Sequence, residues 1–286
     1  MPAPLDRLSS LLERFRVRAH LFHAGALCGM TYFDAQVGRG FLHVLRRGEM
    51  VVTHRSRDGV PRKVTITEPT LLFYPRPLAH AFHNAPVDGA DFVCATVDFE
   101  GGDKHPLARA LPPLIVLPLR AIDGIQHTLA LLFSETEQLR CGQRMMADRM
   151  FEVLILQLLR WVIDHPEQAD LPTGLLTGLA HPHIAATLTA LHDSPGQAWS
   201  LELMAAVAGM SRSVFAATFR SETGSTPAEY LMQWRICLAQ GMLRKGVPVK
   251  VAADQLGYRS AASLSRAFTQ VVGISPRAWL RESGAD

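Results

Sequence analysis

The sequence predicts an α+β chain of more than one domain, an N-terminal β-barrel with helices after it followed by an all-helical C-terminal domain. Three observations carry this expectation. Short apolar segments broken by turn residues fill positions 40–99, the pattern turns helical after Pro118, and an arrangement of Ser, Phe, Gly and Pro near the C-terminus occurs twice. A chain of 286 residues has room for about two domains. With 48% hydrophobic and 19% charged residues it has the composition of a packed protein rather than a disordered one.

The strand candidates are 40–47, 49–54, 62–67, 70–74, 79–83 and 91–99. They are punctuated by Gly48, Asp58-Gly59, Pro69, Pro75, Pro77 and Asp88-Gly89. Such even spacing predicts a sandwich or barrel. Along 91–99, Phe92, Cys94 and Thr96 fall on one face and Val93, Ala95, Val97 and Phe99 on the other. Beyond Pro118, 122–139 and 143–164 read as helices. The second, with Met145, Phe151, Leu154, Leu158 and Trp161, is apolar around most of its circumference and must be covered on several sides, by the core or by a second subunit. Pro172 and Gly174 mark 166–178 as a linker, and His181-Pro182 opens a helix that runs to Leu191. The expected division is 1–120, barrel; 121–180, a helical dimerisation or linker region; 181–286, a helical domain.

Within that last part, Ser211, Phe219, Gly224 and Pro227 recur 49 residues later as Ser260, Phe268, Gly273 and Pro276. Ala205 and Gly209 recur 48 residues later as Ala253 and Gly257, so the second turn is one residue longer. Each copy reads as a helix, a Gly-containing turn and a second helix that stops at Gly. The alanines are small where two helices cross. The glycines supply the positive φ of the turn, and Ser211 and Ser260 are placed to cap the second helices. Phe215 and Phe219, and Leu264 and Phe268, form the apolar stripes. The opposite faces carry Arg212, Ser213, Ala216, Ala217 and Arg220 in one copy, and Ala261, Ala262, Ser263, Ser265 and Arg266 in the other. Residues 226–243 join the units as a long amphipathic helix.

Net charge is only +3, but residues 181–286 hold 10 basic and 7 acidic side chains while 1–180 balance at 19 each. The whole positive excess therefore lies in the duplicated part, where a phosphate-tracking surface would need it. No apolar run approaches the roughly 18–20 residues that span a bilayer, and no long apolar core follows Arg14, Arg16 and Arg18, so a cytoplasmic protein is expected. Cys28, Cys94, Cys141 and Cys237 are too few and too scattered for a disulfide framework.

Gly257-Tyr258 through Pro276, with Trp279 and Leu280 after it, resembles the signature segment of the AraC/XylS family of transcription regulators, and the likeness extends over 181–284. It implies a sequence-specific regulator whose two second helices enter successive major-groove segments of double-stranded DNA. Base-facing candidates are then Ser213, Ala216 and Ala217 in the first unit and Ala261, Ala262, Ser263 and Arg266 in the second. Of these only Arg266 can make a bidentate contact to guanine. Ala216 and Ala217 can touch a thymine methyl but neither donate nor accept, so the first unit is expected to read shape and methyl groups. Arg212, Arg220, Lys245, Lys250 and Arg259, with the helix starts at Ser211 and Ser260, are the phosphate candidates. A homodimer and a contact with RNA polymerase are further partners the resemblance implies.

Pro75, Pro77, His80 and Asn84, spaced Pro-x-Pro-x2-His-x3-Asn, are similar to the second motif of the cupins. The segment 40–49 retains one histidine, His43, of the first. This implies a cupin-like sensor barrel that has lost two of the usual metal ligands, which argues against a cupin metalloenzyme carrying a nucleic-acid-binding tether. His23, Cys28, His43, His80, His83 and Cys94 remain. Three readings stand open for them: buried structural residues, an oxidant-sensing Cys28–Cys94 pair, or a zinc site drawn from Cys28, His43, His80 and Cys94. No cofactor is required by the first two, and the effector is an unidentified small molecule, metal or oxidant.

Overall fold

The computed structural model describes residues 5–55, 59–85, 89–100, 105–138 and 140–282. Asp58 and Asp88 of two expected turns, and Leu139 at the end of an expected helix, lie outside the described residues. The chain forms two compact units. Among the described residues, one is Phe15–Pro172, and the other joins 5–14 to 173–282.

The first unit is built on two antiparallel sheets. One has the order β1 (Val17–Leu27), β8 (Ala90–Phe99), β3 (Arg39–Arg47), β6 (Thr70–Tyr74), β9 (Ile115–Pro118). The other runs β2 (Met30–Phe33), β7 (His80–His83), β4 (Met50–His54), β5 (Lys63–Ile66). Six of these strands match the expected segments to within a residue or so at either end, and β1, β2 and β9 are additional. The reason β1 escapes a periodicity reading is visible in its burial, for only Ala19 of its eleven residues is buried. It is a sheet-edge strand, and it pairs with a segment some seventy residues away. Between the sheets lies a core of Phe33, Phe41, Leu45, Val52, Leu72, Tyr74, Phe82, Phe92 and Cys94. The cross-strand register places His43 opposite both Cys94 and Leu72, so these three side chains share the inward face.

Helices α2 (Pro106–Ala110), α3 (Ile125–Glu137) and α4 (Gln143–Asp164) belong to this unit, and α4 packs along β1. The C-terminal half of α4 is covered on several sides, with Leu154, Ile155, Leu158, Leu159, Trp161, Val162 and Ile163 buried. Its first half leaves Met145, Met146 and Val153 exposed.

The second unit is helical. The stretch expected as a linker contains α5 (Leu175–Ala180), whose Leu175, Leu176 and Leu179 are buried; three leucines on one short apolar turn outweigh the nearby Pro172 and Gly174. There follow α6 (Ile184–Asp193), α7 (Leu201–Val207), α8 (Arg212–Thr223), α9 (Pro227–Arg244), α10 (Val249–Gln255), α11 (Ala261–Val272) and α12 (Pro276–Glu282). The N-terminal helix α1 (Ser9–Arg14) packs here, against α6: Leu11 is buried, and Arg7 and Arg14 donate to the carbonyls of Leu179 and Asp193 at 3.1 Å each.

Candidate nucleic-acid interface and sensor cluster

The duplicated units are helix–turn–helix pairs. Helices α7 and α8 are separated by residues 208–211, and α10 and α11 by 256–260, the one-residue difference expected from the repeat. Ala205 and Ala253 are buried where the helices meet. Gly209 and Gly257 hold φ at +64° and +73°, a region closed to most side chains, and Gly224 and Gly273 end α8 and α11 in the same left-handed conformation. Phe215 and Phe219 pin α8 down, as Leu264 and Phe268 pin α11.

The opposite faces are open. Arg212, Ser213, Ala217 and Arg220 on α8 are exposed, as are Ala262 and Arg266 on α11, while Ala216, Ala261 and Ser263 are half-buried. Lys245, Lys250 and Arg259 are exposed as well. One expectation fails. The Ser260 hydroxyl caps α11, accepting from the Ser263 amide at 3.2 Å, but Ser211, whose φ is −69° where that of Ser260 is −162°, makes no side-chain cap bond. Three residues into α11, Ser263 also answers with its own hydroxyl to the Ser260 amide, a bond that Val214 cannot make in α8. Val214, absent from the residues picked out by pattern, is exposed on the first turn of α8. Arg212 is ion-paired with Glu202 at 2.6 Å on the surface, a contact that solvent screens.

In the barrel, His43 and His80 come together and the cysteines do not join them. His80 Nδ1 lies 2.9 Å from the Leu78 carbonyl and must donate to it, which leaves Nε2 as an acceptor. His43 Nε2, 3.0 Å away, then donates to it, and His43 Nδ1 is buried without a partner. The Tyr74 ring stacks on His80 with centroids 4.1 Å apart. Burial, with the neighbouring imidazoles, pushes His43 well below the ordinary histidine range, and burial brings His80 down to about 4. Cys94 is fully buried, and that burial raises its thiol well above the usual value. Cys28 is exposed just beyond the end of β1. Leu27 sits opposite Ala90 and His23 opposite Cys94, so four residues of strand, about 13 Å at ~3.3 Å each, part the two levels. That is well beyond the ~7 Å Cα limit for a disulfide. The four residues proposed as one zinc or redox set are therefore not one site. Among the described residues no group of three or more His, Cys, Asp or Glu side chains is placed to hold a metal.

The open space is elsewhere. A cleft of about 530 Å³ lies beside β1, β2 and β3, lined by Phe22, Phe33 and Phe41 together with His20, Arg39 and Arg144. The register of β1 slips between Leu21 and His23, which makes Phe22 the extra residue of a β-bulge. The bulge is held by Asp148 of α4, whose carboxylate accepts from the Leu21 amide at 2.7 Å and pairs with His20 Nδ1 at 3.1 Å. Neither Phe22 nor Asp148 stood out in the sequence, because both roles depend on strands and helices far apart in the chain.

Residues 6–164 match a family model described as Cupin, and residues 204–282 match one described as a helix-turn-helix domain. An AraC-like transcription regulator of Streptomyces antibioticus is 30% identical over 302 residues, covering 95% of this chain and 97% of that one. The chain belongs to the AraC family. This regulator is thus a sequence-specific DNA-binding protein with a cupin-like sensor unit ahead of its helix–turn–helix half. It is also similar to the transcriptional activator RclR of Escherichia coli, which is named as specific for RCS, at 25% identity over 74% of this chain and 75% of that one. Among solved structures, the DNA-binding domain of the transcriptional factor AdpA, crystallised with a target DNA, is 34% identical with a TM-score of 0.34, covering 36% of this chain and 94% of that chain. Among the described residues no helix of the regulator is long and apolar enough to cross a membrane.

Proposed function

We propose that the regulator reads DNA unequally with its two units, acts as a cytoplasmic homodimer without enzymatic activity, and takes its effector in the phenylalanine-lined cleft. The observation that carries the reading of DNA is the contrast between the exposed faces of α8 and α11. Ser213, Val214, Ala216 and Ala217 give α8 small and apolar groups, suited to thymine methyls and groove shape. On α11, Arg266 stands exposed and can form the bidentate contact to guanine, with Ala261, Ala262 and Ser263 beside it. Arg212, Arg220, Lys245, Lys250, Arg259 and the helix starts at Ser211 and Ser260 serve the phosphates.

Two features support this cleft as the effector site. The barrel interior is filled by its own aromatic and histidine side chains, whereas the cleft is open and lined by three phenylalanines. The cleft also touches α4 through Arg144, and α4 carries the exposed Met145, Met146 and Val153 that a second subunit would cover. An effector held there would shift the regulator between states that it binds differently.

The test is selection of bound fragments from genomic DNA by the purified full-length protein at physiological salt. The expected result is a two-part motif, with sharp base preference confined to the half under α11. Equal information in both halves would overturn the assignment to α8 and α11. A stoichiometric metal in the purified protein would reopen both the zinc reading of the sensor cluster and the rival cupin metalloenzyme.

A further inference from the structure

Three segments of the DNA-binding unit meet without room for a methyl group: the loop between α6 and α7, the linker helix α9, and the turn between α10 and α11. Arg235 of α9 donates from Nε to the Pro195 carbonyl at 2.7 Å and from Nη2 to the Gln197 carbonyl at 2.9 Å. The same guanidinium lies over the Tyr258 ring, 5.6 Å from its centroid. A Cβ on Gly257 would run into the Gly196 carbonyl oxygen and come within 3.1 Å of Arg235 Nη2. A Cβ on Gly196 would strike the Gln255 carbonyl oxygen. Gly257 is thus required twice, for its φ of +73° and for this approach.

The consequence concerns both recognition helices. The loop ending in the Ser200 cap launches α7, the first helix of one unit, and the turn at Gly257 launches α11, the reading helix of the other. Covalently the units are joined only by α9, whose ends at Thr226 and at 245–248 are places where a helix pair could swing. α9 also packs against α7 and α8 of one unit and against α10, α11 and α12 of the other; beside that packing, the contact around Arg235 is a second, non-covalent tie that joins the units directly. With both ties in place, the offset between α8 and α11 is set by the protein rather than by the DNA.

We propose that Arg235 is a positioning residue that sets the spacing of the two half-sites the regulator accepts, with Gly196, Gly257 and Tyr258 as its seat. One added base pair moves the second half-site by about 3.4 Å and turns it by about a tenth of a helical turn. A rigid pair of units cannot follow that displacement, and a hinged pair can.

The test measures binding of the full-length protein to duplexes built on its best selected site, with the spacer between the halves at −1, 0, +1 and +2 base pairs. The unaltered regulator should lose about tenfold or more in affinity at each changed spacer, the scale of one lost base contact. Arg235→Ala should lose less than about threefold between spacers while keeping its base preferences within each half. Arg235→Lys, which can still reach one carbonyl, should fall between. Gly257→Ala, which wedges the seat apart from the other side, should flatten the spacer dependence as Arg235→Ala does and serves if that variant proves unfolded by circular dichroism. A spacer penalty unchanged from the parent in the folded variants, whatever their overall affinity, overturns the proposal.

Discussion

Arg266 and Lys250 lie in the same helix–turn–helix unit and both are exposed, yet truncating them should have different consequences. Arg266→Ala removes a fork that fits one guanine, so binding should weaken by about 1–3 kcal/mol on the matched site and preference should relax at one base pair. Lys250→Ala removes a phosphate contact, so matched and scrambled duplexes should weaken alike and the salt slope should flatten by about one charge. Titrations of both variants on both duplexes at several salt concentrations check this; identical behaviour of the two would contradict the roles assigned here. The residue scale also shows what pattern reading can miss. His43 and His80 were picked out as chemistry-bearing and do touch, but only the fold reveals that they face each other inside an aromatic core. Cys28 and Cys94, equally prominent in sequence, end on different levels of one strand pair.

At the scale of the element, the two recognition helices were legible nearly to the residue, because Ala, Gly, Ser and the apolar stripe act locally and recur together. Their caps are a sharper case. Ser260 is engaged and Ser211 is not, so Ser260→Ala should cost about 1 kcal/mol of stability and Ser211→Ala close to nothing. Urea unfolding of the two variants, monitored by circular dichroism, decides it, and equal losses would mean the Ser211 hydroxyl is used after all. The helix α5 and the strand β1 mark the opposite case. Three leucines beside Pro172 and Gly174 look like the margin of a linker until α6 and α8 are there to cover them. The first five residues of β1 alternate apolar and polar, but the bulge at Phe22 breaks that pattern and most of the strand is half-exposed, so the strand does not stand out.

For the whole molecule, buried histidines tie stability to pH. In the unfolded chain imidazoles protonate near 6.5, whereas burial holds His80 and His105 of the barrel unit neutral down to about 4 and His43 lower than usual as well. Between those values the unfolded state binds more protons, so this contribution is complete above about pH 6.5 and is lost as the pH falls toward 4. Urea midpoints of the full-length protein measured from pH 7.5 to 4 should therefore drop through that window. A flat profile would mean the imidazoles are not buried as described. By itself the sequence determined that a barrel precedes a duplicated helix–turn–helix half, and which faces of that half stay open, since these follow from periodicities and turn residues within reach of one another. Tertiary structure decided that residues 5–14 pack with the helices after Thr173, that Cys28 is not beside Cys94, that a bulged Phe22 lines a cleft beside α4, and that Arg235 ties one helix–turn–helix unit to the other. Each of these is a contact between segments distant in the chain, and such contacts are selected by packing and hydrogen bonding in three dimensions, which no local spacing encodes.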